Sequence, residues 1–124
     1  MVDSKDKVNE SYLMIKEIDI QNSILAYLNA IGIFCWRNNS VGVYDPTKNL
    51  FRKPTGKYQI NGVSDILAIS KQGRMMAIEV KSEKGRVSDS QKEFIDNINK
   101  RGGLAFVARS IEDVKIKFKE MGIA

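Results

Sequence analysis

The stretch GVSDILAISKQGRMMAIEVK, residues 62–81, carries two apolar runs of strand length, Asp65 to Ile69 and Met75 to Lys81, on either side of Ser70-Lys71-Gln72-Gly73-Arg74. Such runs around a glycine-bearing turn read as a β-hairpin. Three-residue hairpin loops favour a type I turn followed by a left-handed residue, and glycine takes that conformation at little cost. With Lys71, Gln72 and Gly73 as the loop, Ser70 pairs with Arg74, and counting outward sets Asp65 directly opposite Glu79. Side chains alternate along a strand, so Lys81 shares the face of Glu79 while Ile78 and Val80 point into the core.

Downstream, a polar loop from Ser82 to Val87 leads to Ser88, which forms a capping box with Gln91 three residues on. Phe94, Ile95 and Ile98 then give a second helix its inward stripe, and Gly102 and Gly103 end it. Leu104 to Ala108 reads as a strand, and Ser110 with Asp113 caps a last helix whose inward face carries Val114, Phe118 and Met121. Upstream, Ile20, Ile24, Leu28 and Ile31 mark an amphipathic first helix at about Glu17 to Ile31, stopped by Gly32 and followed by a strand, Ile33 to Trp36. Between Arg37 and Gly62 turn-forming residues dominate, Pro46 and Pro54 among them, with room for one or two short strands at Val41 to Tyr44 and Tyr58 to Ile60. The order α-β-(β)-β-β-α-β-α predicts an α/β fold with a mixed central sheet flanked by helices.

Composition narrows the chemistry. The 124 residues suit one domain, 1–124, with 1–12 expected to form a flexible start. There is no histidine and a single cysteine, Cys35, which excludes histidine-based nucleophilic pairs, histidine metal sites and an internal disulfide. Cys35 and Trp36 are expected in the core or at its rim. The net charge of +5 favours a polyanionic partner. The polar first ten residues and the absence of any apolar run near the roughly 18 residues of a membrane span predict a soluble, intracellular (cytoplasmic) protein that does not enter membranes.

Two directly opposed carboxylates hold their Cβ atoms about 4.5–5.5 Å apart, which is destabilising unless a cation sits between them. Mg²⁺ answers that need, since it prefers oxygen ligands and is typically held by one or two carboxylates together with water and phosphate. Asp65, Glu79 and Lys81 on one face therefore suit metal-assisted phosphodiester hydrolysis. The competing reading is solvated charge on an exposed strand, with Asp65 merely beginning that strand after the Gly62 turn.

The ordered set Gly62-Val63-Ser64-Asp65, Glu79-Val80-Lys81 and Ser88-Asp89-Ser90-Gln91 resembles the VRR-NUC branch of the PD-(D/E)XK nuclease superfamily, whose core is restriction-endonuclease-like. Glu17-Ile18-Asp19-Ile20-Gln21 and Trp36-Arg37-Asn38-Asn39-Ser40 resemble the start of the same domain, so that the likeness runs from about Glu17 to Ala108. The resemblance implies that Asp65 and Glu79 bind Mg²⁺ or Mn²⁺, that the main-chain carbonyl of Val80 completes the ligands, and that Lys81 orients the attacking water. It also implies a supporting role for Glu17, which heads the buried stripe of the first helix but equally complements that helix's N-terminal dipole. Gln91 is a cap by local pattern, and the resemblance adds that it faces the site. Ser64 departs from the family pattern, in which a proline usually precedes the hairpin aspartate.

Lys48, Arg52, Lys53 and Lys57, interleaved with Tyr44, Phe51 and Tyr58, suit phosphate contacts and base stacking; a solvated loop is the alternative. Lys84 and Arg86 beyond the Glu-x-Lys strand, with Arg37 and Asn38 after the first, extend the candidate DNA surface. Within the family, stand-alone chains of this size resemble Holliday junction resolvases, which implies a magnesium-dependent endonuclease acting on four-way junctions as a homodimer. The alternatives are a flap-directed, nicking or restriction-like nuclease, or a non-catalytic nucleic-acid binding module of the same fold.

Overall fold

The computed structural model describes residues 4–38, 43–45, 50–52 and 56–123, with side chains over 16–38 and 56–123. In chain order the elements are α1 (Ser4–Ala30), β1 (Phe34–Arg37), β2 (Val43–Asp45), β3 (Leu50–Arg52), β4 (Ile66–Ile69), β5 (Met75–Val80), α2 (Asp89–Lys100), β6 (Leu104–Ala108) and α3 (Ile111–Met121). Four strands form one mixed sheet in the order β1-β4-β5-β6, with β5 and β6 parallel and the other two pairs antiparallel. β2 and β3 form a separate antiparallel pair.

The hairpin register is the one the turn chemistry predicts. Ile66 pairs with Ile78 and Ile69 with Met75. Ser70 N–H donates to the Arg74 carbonyl at 2.9 Å, and Gly73 closes the loop at φ +86° with its N–H on the Ser70 carbonyl. Asn38 N–H continues the β1–β4 ladder onto the Asp65 carbonyl at 2.8 Å.

The register sorts the side chains into two faces. Ile66, Ala68, Met76, Ile78, Val80 and Phe106 point to one side, where α1 and α3 cover them with Ile24, Leu28, Val114 and Phe118, all buried. α2 lies on the other side over β5 and β6. Ser88 caps it as predicted: its Oγ accepts from Gln91 N–H and the Gln91 Oε1 accepts from Ser88 N–H at 2.8 Å. Ser110 Oγ likewise accepts from Asp113 N–H at the start of α3.

Several expectations change. α1 begins at Ser4, well ahead of the Glu17 start that the apolar stripe predicted. Tyr58 to Ile60 is not a strand: Tyr58 adopts φ +73° within a turn closed by Gln59 N–H on the Gly56 carbonyl. The second strand of that region is instead Leu50–Arg52, paired with β2. Met121 is exposed, because α3 ends there and only Val114 and Phe118 reach the core. The α2 stripe, Phe94, Ile95 and Ile98, is half-buried rather than part of the core. Cys35 packs against the core, where burial raises its thiol pKa, whereas Trp36 alternates to the opposite face and is 38% exposed.

Candidate metal and phosphodiester site

Asp65 stands one residue before β4 and Glu79 one residue before the end of β5, on the face that α2 partly covers. The Asp65 carboxylate is oriented by the neighbouring strand, its Oδ2 accepting from Val80 N–H at 2.8 Å. Glu79 is 2% exposed. Its Oε1 accepts from the Gln91 side-chain amide at 2.9 Å and lies 3.8 Å from Lys81 Nζ. Its Oε2 is buried and has no hydrogen-bond partner among the described residues. Gln91 thus serves α2 as a cap through Oε1 and Glu79 through Nε2, which unites its two sequence readings.

Burial first, and then the adjacent Asp65 carboxylate, by repulsion and by a hydrogen bond open only to the protonated acid, raise the Glu79 pKa to about 8, so that Oε2 is left without a donor when Glu79 is ionised. Lys81 opposes these effects, and Glu17 adds a smaller upward push. Glu17 reaches the same strand ends from α1, and its Oε1 accepts from Ser82 N–H at 3.1 Å. Glu17, Asp65, Glu79, Lys81 and Gln91 are therefore gathered at one end of β4 and β5, although they come from α1, the two hairpin strands and α2.

A buried carboxylate oxygen without a donor, beside a second carboxylate, is an arrangement that a divalent cation satisfies. The donor set is all oxygen, the hard chemistry that Mg²⁺ and Mn²⁺ accept. Among the described residues no group of three or more His, Cys, Asp or Glu side chains is placed to hold a metal ion, so Glu17 stands apart from the Asp65–Glu79 pair as a ligand. The Ser64 and Ser82 hydroxyls are also buried without a partner among the described residues. Ser64, at the position where the family pattern has proline, thus leads into Asp65 as a fully buried residue.

The remaining sequence candidates fall into four groups. Asn38 lies opposite Asp65 and, by alternation, on the site's face. Arg37 pairs with Ile66 and so faces α1, where its guanidinium donates to the Asn22 side chain. Lys84, Arg86 and Lys57 are exposed, with Lys57 Nζ 5.7 Å from the Tyr58 ring centre. Lys48 and Lys53 lie outside the described residues, and of Arg52 only the backbone, in β3, is described.

Sequence reasoning missed Arg109. From the end of β6 its Nη1 donates to the carbonyls of Ser82, Glu83 and Gly85 at 2.6, 3.3 and 2.8 Å, clamping the turn that follows β5. That turn presents the Ser82 N–H to Glu17. It is also tight: a Cβ on Gly85 would stand 3.0 Å from Glu17 Oε1 and 3.2 Å from Ser82 Oγ. A lone arginine after a strand carries no local signal, because its partners are main-chain carbonyls more than twenty residues away.

The VRR-NUC domain model matches residues 46–112, just over half of the chain. The matched span holds Asp65, Glu79, Lys81, Gln91 and Arg109, while Glu17, Arg37 and Asn38 precede it. No curated protein and no solved structure matches the chain.

Proposed function

The chain belongs to the VRR-NUC domain family, a nuclease family whose substrate is DNA, and from that premise we propose that it is a divalent-metal-dependent endonuclease that resolves four-way DNA junctions. One observation carries the metal dependence: the buried Glu79 Oε2, without a hydrogen-bond donor among the described residues, beside Asp65. Asp65, Glu79 and the Val80 carbonyl would hold Mg²⁺ or Mn²⁺, which when bound supplies Lewis acidity at the scissile phosphate and lowers the pKa of attacking water.

The chain's own residues do the rest. Val80 N–H and Gln91 Nε2 orient the two carboxylates, each through one oxygen. Lys81 sets an ammonium on the same face, where it offsets charge that develops on the phosphate and orients water. Glu17, held by Ser82 N–H, adds a carboxylate at the edge of the site. Asn38 on the site's face, with exposed Lys57, Lys84 and Arg86, would contact the DNA backbone or bases. The junction preference follows from the family and from the economy of pairing two copies across a two-fold axis, which places two sites on one symmetric substrate.

The test compares a four-way junction, a flap, a plain duplex and single strands with and without EDTA. Asp65→Asn and Lys81→Ala are expected to abolish junction cutting in Mg²⁺ while binding survives. Normal cleavage by Asp65→Asn would sink the assignment.

A further inference from the structure

The sheet face that carries Asp65 and Glu79 is only half covered. α2 lies over β5 and β6, and among the described residues no helix covers β1 and β4 on that side. There the register pairs Phe34 with Ile69 and Trp36 with Leu67, all four on one face. Phe34 is 70% exposed, and Trp36 and Ile69 are each 38% exposed. The two rings touch at a tilt, their centres 5.5 Å apart. Alternation along β4 sets Asp65, Leu67 and Ile69 on this same face, so the aromatic pair is continuous with the candidate metal site.

We propose that Trp36 and Phe34 form a stacking platform for unpaired bases of the DNA strand whose phosphate occupies the Asp65–Glu79 site. This rests on the nuclease reading for the position of the phosphate. Trp36 lies opposite Leu67, two strand residues or about 7 Å from Asp65 along β4. Phe34 lies one such step further. At a spacing of about 3.4 Å per stacked nucleotide those offsets correspond to bases roughly two and four nucleotides from a phosphate held at Asp65, and to fewer when the strand is stretched. A fully paired duplex keeps its base faces stacked inside the helix, so only unpaired bases can use an exposed ring in this way.

The size of the patch argues for a ligand of this scale. Taking 150–250 Å² for an aromatic side chain, the exposed parts of Phe34, Trp36 and Ile69 amount to roughly 300 Å². A stable interface between two copies needs about 800 Å² from each. The patch also runs directly into Asn38, Asp65 and Lys81, an apolar-to-charged sequence that matches a nucleotide's base and phosphate better than it matches an apolar partner surface.

Trp36 is the only tryptophan in the chain, so its emission reports on this face alone. The protein in EDTA is titrated with a duplex bearing a single-stranded tail and with a blunt duplex of equal length. Saturable quenching with the tailed DNA and little with the blunt one is expected. Trp36→Ala should weaken binding of the tailed DNA by about 5- to 100-fold, the range one stacked base carries, and change blunt-duplex binding less than twofold, while Trp36→Phe retains most of the affinity. Phe34→Ala serves as the second variant, since its ring is the more exposed and its removal is the easier for the fold to bear. Equal losses on both DNAs, or no loss on either, overturn the proposal. So does a sedimentation mass that falls on Trp36→Ala, because a second copy then occupies the face. Binding is read without cleavage, so a protein that stacks bases but never cuts fails only the nuclease reading, and one that cuts with Trp36→Ala unchanged fails only this one.

Discussion

Burial and the neighbouring Asp65 favour the neutral form of Glu79, against the pull of the Lys81 ammonium 3.8 Å away. The folded Glu79 pKa of about 8 stands above the ordinary value of 4.5, so between those limits the folded protein binds more protons than the unfolded chain. The stability this contributes is complete below pH 4.5 and is lost as pH rises through about 8. In EDTA the melting temperature is therefore expected to fall by several degrees from pH 5 to pH 8.5, and Glu79→Gln should flatten that slope. A slope unchanged by Glu79→Gln would show that another group titrates. On the proposed function Mg²⁺ would displace the same proton, so its stabilising effect is expected to be larger at pH 8.5 than at pH 6. Thermal melts at the four combinations of pH and metal check both signs.

Loops and helix ends hold the carboxylates in place. Arg109 ties the end of β6 to the turn after β5, and that turn orients Glu17. Removing partners that orient metal ligands typically costs 10- to 100-fold in metal affinity. Arg109→Ala is expected to weaken Mn²⁺ binding by about that factor, read by calorimetry without DNA while the far-ultraviolet circular dichroism stays native. Affinity unchanged would reduce the clamp to a fold contact. The start of α2 is a second such device. Ser88→Ala removes the cap at a cost of about 1 kcal/mol, seen as a lower melting temperature, and loosens the helix turn from which Gln91 reaches Glu79. Gly62 locks that turn from outside. At φ +76° it packs so closely that a Cβ would stand 2.3 Å from the Ser90 carbonyl group, so Gly62→Ala must displace either the lead-in to Asp65 or the N-terminus of α2. A larger loss of cleavage than of stability is expected.

In the molecule as a whole the carboxylates stand at one end of the sheet, which the proposed function makes the substrate side, and among the described residues α2 covers only β5 and β6 on their face. The homodimer proposed for junction resolution needs a contact larger than the Phe34–Trp36 patch, and gel filtration is expected to show the mass of two 14.0 kDa chains. A mass near one chain would remove the resolvase reading and leave the flap and nicking alternatives. Among the described residues no helix is long and apolar enough to cross a membrane. Binding by phosphate contacts should weaken steeply with salt, and a salt slope near zero would count against DNA as the partner.

The hairpin could be read before any fold was known, because a three-residue loop ending in glycine and a two-residue side-chain period are local rules that set Asp65 against Glu79. The capping box of α2 was legible for the same reason, since Ser88 and Gln91 lie within one helical turn. The three-residue strands β2 and β3 were not, being too short to carry a period. Nor was the exposure of Trp36: an apolar strand residue reads as core until it is known which sheet face a helix covers. The same holds for Arg109, for the second hydrogen bond of Gln91 and for the rise in the Glu79 pKa. Each depends on groups distant in sequence, and neither desolvation nor a main-chain acceptor leaves a mark on neighbouring residues. Local spacing supplied the candidate carboxylates and their order, and packing decided which are buried, which are held, and which described part of the sheet stays exposed.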